Sequence, residues 1–230
     1  AARIDRLAPE DKRLLQSASV IGKDFSLPLL REIADASGEN LDRSLAHLEA
    51  AEFIYETRLF PDPEYTFNHA LTHDVAYGSL LAERRNALHV AIVAAIERLF
   101  AERWPEYVDR LFYHAGRGAD WEKAYKYGVQ AGRRALERSA NQAALEAFEL
   151  ALNALGHLPE TRESVAQAID LRFELRDALF ILNRMDAILP HVEQAEALAI
   201  QIGDRRREAL AALYMSGFYW YTLQLDLAIK

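Results

Sequence analysis

Hydrophobic positions in the first fifty residues recur at helical spacing. Leu14, Leu15 and Ala18 follow Ala8-Pro9-Glu10-Asp11, where a proline and two acids suit a first helical turn. Gly22 marks the expected end of that helix, and Ser26-Leu27-Pro28 the start of a second that runs through Ile33. A third helix is predicted from near Asn40, with Leu41, Leu45, Leu48 and Phe53 on one face. The period then shortens. Residues 53–59 and 64–67 are aromatic and β-branched, and Phe60-Pro61-Asp62-Pro63 between them is turn chemistry, so a β-hairpin is predicted. From Ala70 the helical spacing returns through Leu88, Ile92, Ile96 and Leu99, with a bend expected near Gly78.

Trp104-Pro105 is the predicted domain boundary, because proline cannot continue a helix and disfavours one at the residue before it. Beyond it the chain reads as helical to the end, and it repeats. Helix-rich segments start near Asp120, Thr161 and Asp204, at intervals of 41 and 43 residues, and Phe148 and Ala151 correspond to Val192 and Ala195, each 44 positions on. Such self-similarity predicts stacked helical hairpins that bury their apolar faces on one another. Gly132, Ala144, Phe148 and Ala151 fall at the small, small, aromatic and small positions of the tetratricopeptide motif, which the first hairpin resembles. The second departs from it: Arg176 stands where Gly132 stands, and Pro190 lies inside its second helix. The expected fold class is mainly α: a winged-helix domain with one β-hairpin at 1–103, then tetratricopeptide-like helical hairpins (an α-solenoid) at 104–230.

Composition narrows the function classes. The absence of cysteine excludes a disulfide framework and thiolate metal sites and suits a reducing compartment. The net charge is −8, and residues 1–103 hold 12 Lys and Arg against 17 Asp and Glu. The third predicted helix, residues 41–52, offers Arg43 as its one permanent cation beside Asp42, Glu49 and Glu52. A helix so charged meets repulsion in a major groove, so DNA is not an expected partner. No apolar run reaches the ~18 residues of a membrane span, and the opening AARIDRL has no signal-peptide pattern. A cytoplasmic location away from the membrane is expected. The chain starts without Met and stops within a helical pattern at LQLDLAIK, so we expect a piece of a longer protein.

Polar chemistry concentrates in FNHALTHDVAYGSLL, residues 67–81, which opens a helix directly behind the hairpin. A helix N-terminus presents free N–H groups and partial positive charge and suits an anion such as a nucleotide phosphate. The plainer reading makes Phe67, Leu71, Val75 and Leu80 core and the histidines surface. His69 and His73 share a helical face, but no Glu follows the first as in His-Glu-x-x-His and no third ligand is evident, so no metal is expected. His47, His89 and His114 are scattered and read as structural. No phosphate loop, G-x-G-x-x-G, G-x-S-x-G elbow or cysteine nucleophile occurs, so no catalytic residue or cofactor is expected in the chain itself. Tyr214, Phe218, Tyr221 and Leu225 share one helical face; core packing is the plainer reading, and the alternative is a face that lies open and drives self-association.

The opening IDRLAPEDKRLLQSASVIGKDF, the stretch LEAAEFIYETRLFPDPEYTFNHALTHDVAYGSLL and the repeats behind them resemble one bacterial family. Its members are large signalling proteins in which a class III adenylate/guanylate cyclase domain precedes a P-loop ATPase of the STAND type, a winged-helix region and tetratricopeptide-like repeats. The resemblance covers nearly all of the chain. It implies a non-catalytic regulatory and sensor part, with ATP or ADP and Mg bound elsewhere in the longer protein. Its implied partners are the neighbouring ATPase domain and an unknown protein or peptide on the repeats. It further implies that a histidine early in the helix after the wing contacts the ADP β-phosphate. His69 is the matching position, in Phe-x-His rather than the usual Met-His-Asp, and His73-Asp74 is a rival four residues on. Relatives carry other output domains, so the sensor half of a STAND transcription regulator and a stand-alone peptide-binding scaffold remain alternatives.

Overall fold

The computed structural model describes residues 3–36, 38–59 and 62–223. It is mainly helical, with eleven α-helices and three strands among those residues, and it divides into two compact units, 1–120 and 121–230.

The first unit begins with a 3-10 turn at Ile4–Arg6 and α1 at Pro9–Ile21. Gly22 closes α1 at φ +143, a conformation that favours glycine, and donates its N–H to Ala18 O at 3.3 Å. A short strand follows that the hydrophobic spacing does not reveal, β1 at Asp24–Ser26. Three residues are too few to display a period of two, so only pairing defines it. Next come α2 (Leu27–Ile33), α3 (Glu39–Ala50), β2 (Ile54–Arg58) and β3 (Glu64–Phe67). The sheet is antiparallel in the order β1-β3-β2, with Asp24 opposite Thr66 and Ile54 opposite Phe67. Being central, β3 buries Tyr65, Thr66 and Phe67 in succession, whereas edge strand β2 buries only Ile54. Phe25 of β1 stacks on Tyr65 and meets Phe67 edge-on, each at 5.8 Å between ring centroids. Each such large side chain, fully buried, contributes about 1.5–3 kcal/mol.

The expected bend near Gly78 is a complete break. Helix α4 spans Ala70–Gly78 and α5 spans Ala82–Leu99. Ser79 sits between them, its hydroxyl donating to Ala76 O at 2.7 Å and accepting from Gln16 at 2.8 Å. The compact unit also runs past the expected boundary at 103/104. Trp104 and Pro105 open a 3-10 turn, Trp104–Tyr107, that leads straight into α6 (Val108–Arg117). Helix α6 returns along α5 so closely that a Cβ on Gly118 would lie 2.9 Å from Val90 Cγ2. Proline ends a helix here without ending a packing unit.

Among its described residues the second unit is built of helices and turns: α7 (Trp121–Glu137), α8 (Asn141–Leu155), α9 (Arg162–Ile181), α10 (Met185–Ile202) and α11 (Arg205–Tyr221). Consecutive helices pack on one another around Phe148, Ile169, Leu175, Val192 and Ala195. A Cβ on Gly132 would lie 2.3 Å from Phe148 Cε1, so glycine is what lets α7 approach α8 here. The turns repeat as well. Ser139 after α7 and Asn183 after α9 both take left-handed φ, +58 and +56. In each turn the next N–H reaches back to the preceding helix, Ala140 to Ala135 O and Arg184 to Leu179 O, at 2.9 Å. Arg176, at the position corresponding to Gly132, lies over Phe180 and Tyr214 and pairs with Asp177 at 2.6 Å. Pro190 is accommodated within α10.

Among the described residues, the aromatic face of α11 is packed at Tyr214 and Phe218, as the core reading expects, and open at Tyr221. Tyr214 meets Phe173 edge-on at 5.2 Å, and both Tyr214 and Phe218 are partly buried against the core, because α9 is long enough to cover them. Tyr221 remains 58% exposed beside Phe180, with Trp220 and Leu213 on the solvent side. Leu225 lies outside the described residues.

Candidate functional site

The corner between β3 and α4 is built by Asn68. Its N–H donates to Phe53 O at 3.0 Å and its side-chain amide to Glu52 O at 2.9 Å, which pins the end of the central strand to the entry of β2. His69 follows as the N-cap of α4 in extended conformation, φ −137 and ψ 135. Its carbonyl accepts the N–H groups of Thr72 and His73 at 2.9 and 3.3 Å, its ring makes no capping hydrogen bond, and it is exposed. The imidazole thus stands in solvent beside the positive end of a nine-residue helix. Leu71 is a correction: spacing makes it core, but it is 73% exposed.

His73 is placed differently. Its Nε2 lies 3.0 Å from Ser19 O of α1 and its Nδ1 3.0 Å from Asp74 Oδ1, while its ring meets Phe67 edge-on at 5.3 Å. Both nitrogens face acceptors within the fold, so His73 ties α4 to α1 and to the sheet.

Behind it runs a polar chain that sequence reasoning missed. Tyr77 stacks on His73 at 6.3 Å and brings its hydroxyl 3.1 Å from His89 Nε2. His89 Nδ1 in turn lies 2.8 Å from His114 Nδ1, both residues being 1% exposed. One N–H at a time fits between those two nitrogens. Protonating both rings would set two N–H groups against each other. Burial, with Arg117 and Arg85 nearby, pushes His89 down to about 4. Burial, with His89 and Arg110 nearby, pushes His114 down to about 3. Both imidazoles are therefore neutral at pH 7 and join α4, α5 and α6. A signal was present: His89 stands among Leu88, Ile92 and Ile96, and His114 beside Leu111, at apolar positions of their helices. What the spacing could not supply is that the two faces meet. His47, the third scattered histidine, reaches Asp11 instead, Nδ1 to Oδ2 3.2 Å.

Chemically, the corner can offer an anion the His69 ring and the N–H groups of Ala70 and Leu71, which lead the first turn of α4. Among the described residues no three His, Cys, Asp or Glu side chains come together in a metal-holding group, and no helix is long and apolar enough to cross a membrane. On the third helix, Arg31 of α2 is paired with Asp42 at 3.1 Å.

No family model matches the chain, and no solved structure matches it. It is similar to an uncharacterised protein of Rhizobium meliloti (strain 1021), with 27% identity over 162 residues. The matched stretch is 70% of this chain but 16% of that relative, so the chain spans only a small part of the length of the protein it matches.

Proposed function

We propose that the chain is the non-catalytic regulatory and sensor part of a larger cytoplasmic bacterial signalling protein, in which a class III nucleotide cyclase is fused to a P-loop ATPase of the STAND type. In this reading the first unit is a winged helix that restrains the ATPase, and the second is a tetratricopeptide-like solenoid that receives a protein or peptide. The element order α1-β1-α2-α3-β2-β3 with its β1-β3-β2 sheet supports the winged-helix reading. Gly132 against Phe148, and the turns at Ser139 and Asn183, support the repeats.

One observation carries the nucleotide reading. Of the two rival histidines, His73 is committed to Ser19 and Asp74, while His69 is exposed at the head of α4. An exposed imidazole beside a helix N-terminus suits the terminal phosphate of an ADP held by a neighbouring ATPase domain. Nucleotide and Mg would be bound there, with this chain closing over them. The longer protein is expected to carry a phosphate loop preceding this chain and to bind ADP, whereas purified 1–230 should hydrolyse no ATP. ATP turnover by the purified chain, abolished by a substitution within it, would refute the reading. Acidic α3 and the Arg31–Asp42 pair favour no role in sequence-specific DNA binding.

A further inference from the structure

A cavity of about 250 Å³ opens in the second unit where the end of α8, the start of α9 and the last turns of α10 converge. Leu152, Leu155, Leu158, Val165 and Leu198 supply the apolar side chains of its wall, and Arg172 of α9 supplies its cation. Arg172 is unlike the other arginines that anchor this unit. Arg133 pairs with Glu174, Arg176 with Asp177, and Arg207 with both Asp170 and Asp204. Arg172 instead donates through Nε and Nη2 to Gln194 Oε1 at 3.2 and 3.0 Å, and through Nη1 to Ala168 O at 3.2 Å.

Both acceptors are neutral, and they engage three of the five donors a guanidinium carries. Burial alone pulls Arg172 below its usual range, with no acid acting in the other direction. A partly buried cation that lacks a carboxylate, set in a leucine wall, is costly unless something brings it an anion. Glu160 also lines the cavity, its carboxylate held by Gln201 at 3.0 Å. That fixed negative charge opposes a dianion such as a phosphate monoester, so a single negative charge fits best.

We propose that this cavity binds a small organic monocarboxylate with an aliphatic tail, its carboxylate on the open side of the Arg172 fork and its tail among Leu152, Leu155, Leu158 and Leu198. The size suits a ligand smaller than a drug molecule, which fills pockets of about 300–1,000 Å³. The site stands on the cavity and Arg172 alone and does not depend on the nucleotide reading.

The probe is octanoate, titrated into the full 1–230 chain carrying methyl-labelled leucines, with 1-octanol as the neutral match and octyl phosphate as the dianion. Saturable shifts confined to Leu152, Leu155, Leu158 and Leu198 are expected with octanoate, at an affinity about tenfold or more above that for octanol. Octyl phosphate should bind more weakly than octanoate, and Glu160→Gln should narrow that gap. Arg172→Gln, which keeps a donor for Gln194, should remove the preference for octanoate over octanol. Equal binding of octanoate and octanol by the unmodified chain, shifts elsewhere, or no binding at millimolar octanoate would each overturn the proposal. The unmodified chain alone decides it if Arg172→Gln does not fold.

Discussion

The two units solve the problem of a core in opposite ways. In the first, polar side chains are taken inside: Asp11, Ser17, Ser19, Ser44, Thr66, His89 and His114 are all buried, and a three-stranded sheet joins residues far apart in sequence. In the second, the buried side chains among the described residues are hydrophobic or small, and contacts run between neighbouring helices. A repeat array can be stabilised by size matching alone, since each hairpin needs only its neighbour's apolar face. A unit assembled from non-local pieces uses hydrogen bonds of fixed direction to select one arrangement, and each such bond is costly to leave unmade. The buried pair of imidazoles therefore lies in the first unit, whereas Arg172 and His191 of the second are only partly buried.

The largest effect should come from the apolar side of the comparison. Phe148→Ala removes a fully buried ring and is expected to cost about 3–5 kcal/mol, read from denaturant unfolding. Hydrogen exchange should locate the loss in residues 121–223. Protection lost equally in both units would mean that the cores are not independent.

Acid should act on the other side. His89 and His114 are depressed in the folded state relative to an unfolded value near 6.5. The unfolded chain then binds more protons below that value, so the stability they contribute is present above pH ~6.5 and is lost as pH falls toward 4 and 3. A loss on the order of 3 kcal/mol per histidine by pH 4 is expected in the first unit, against a smaller loss in the second, where burial also depresses His191. Replacing both histidines by apolar residues should flatten the pH slope of the first unit. A slope that survives the replacement would assign the acid response to other groups.

Smaller changes sharpen the same contrast. Gly132→Ala forces a methyl into Phe148 and should destabilise by about 1–3 kcal/mol, although alanine is the better helix former. Ser139→Gly relieves a left-handed residue and should stabilise by roughly 0.5–1 kcal/mol, measurable as a rise in melting temperature. A loss of stability there would show that the Ser139 side chain matters more than its backbone.

Much of this architecture could be read in the sequence, and the rest could not for definite reasons. The limits of α1 and α2 follow from Pro9, Gly22 and Pro28, and the hairpin from its aromatic runs, because local chemistry sets them. The repeat period places helices at Trp121, Arg162 and Arg205. Strand β1 was invisible because only its pairing with β3 makes it a strand. The compact units meet at 120/121 rather than at Pro105, which breaks a helix while Gly118 lets the next one fold back on α5. Of the candidate site, His69 is singled out by the family resemblance, since spacing alone makes the histidines of this stretch surface decoration. That His73 is held by Ser19, and that His89 meets His114, depends on contacts across 54 and 25 residues of chain, which periodicity does not encode.

The central claim is that an exposed histidine at the head of α4 serves a nucleotide while its neighbour serves the fold. It is tested most directly by ADP affinity in the longer protein with His69→Ala and with His73→Ala, alongside the melting of each variant in 1–230. A hydrogen bond to a charged partner is worth roughly 1.5–3 kcal/mol, so His69→Ala should weaken ADP by about ten- to a hundredfold while the melting of 1–230 barely moves. His73→Ala should instead lower the melting temperature, by the loss of about 1–3 kcal/mol. Unchanged ADP affinity in His69→Ala, or a large loss of stability in 1–230 carrying it, would contradict the account.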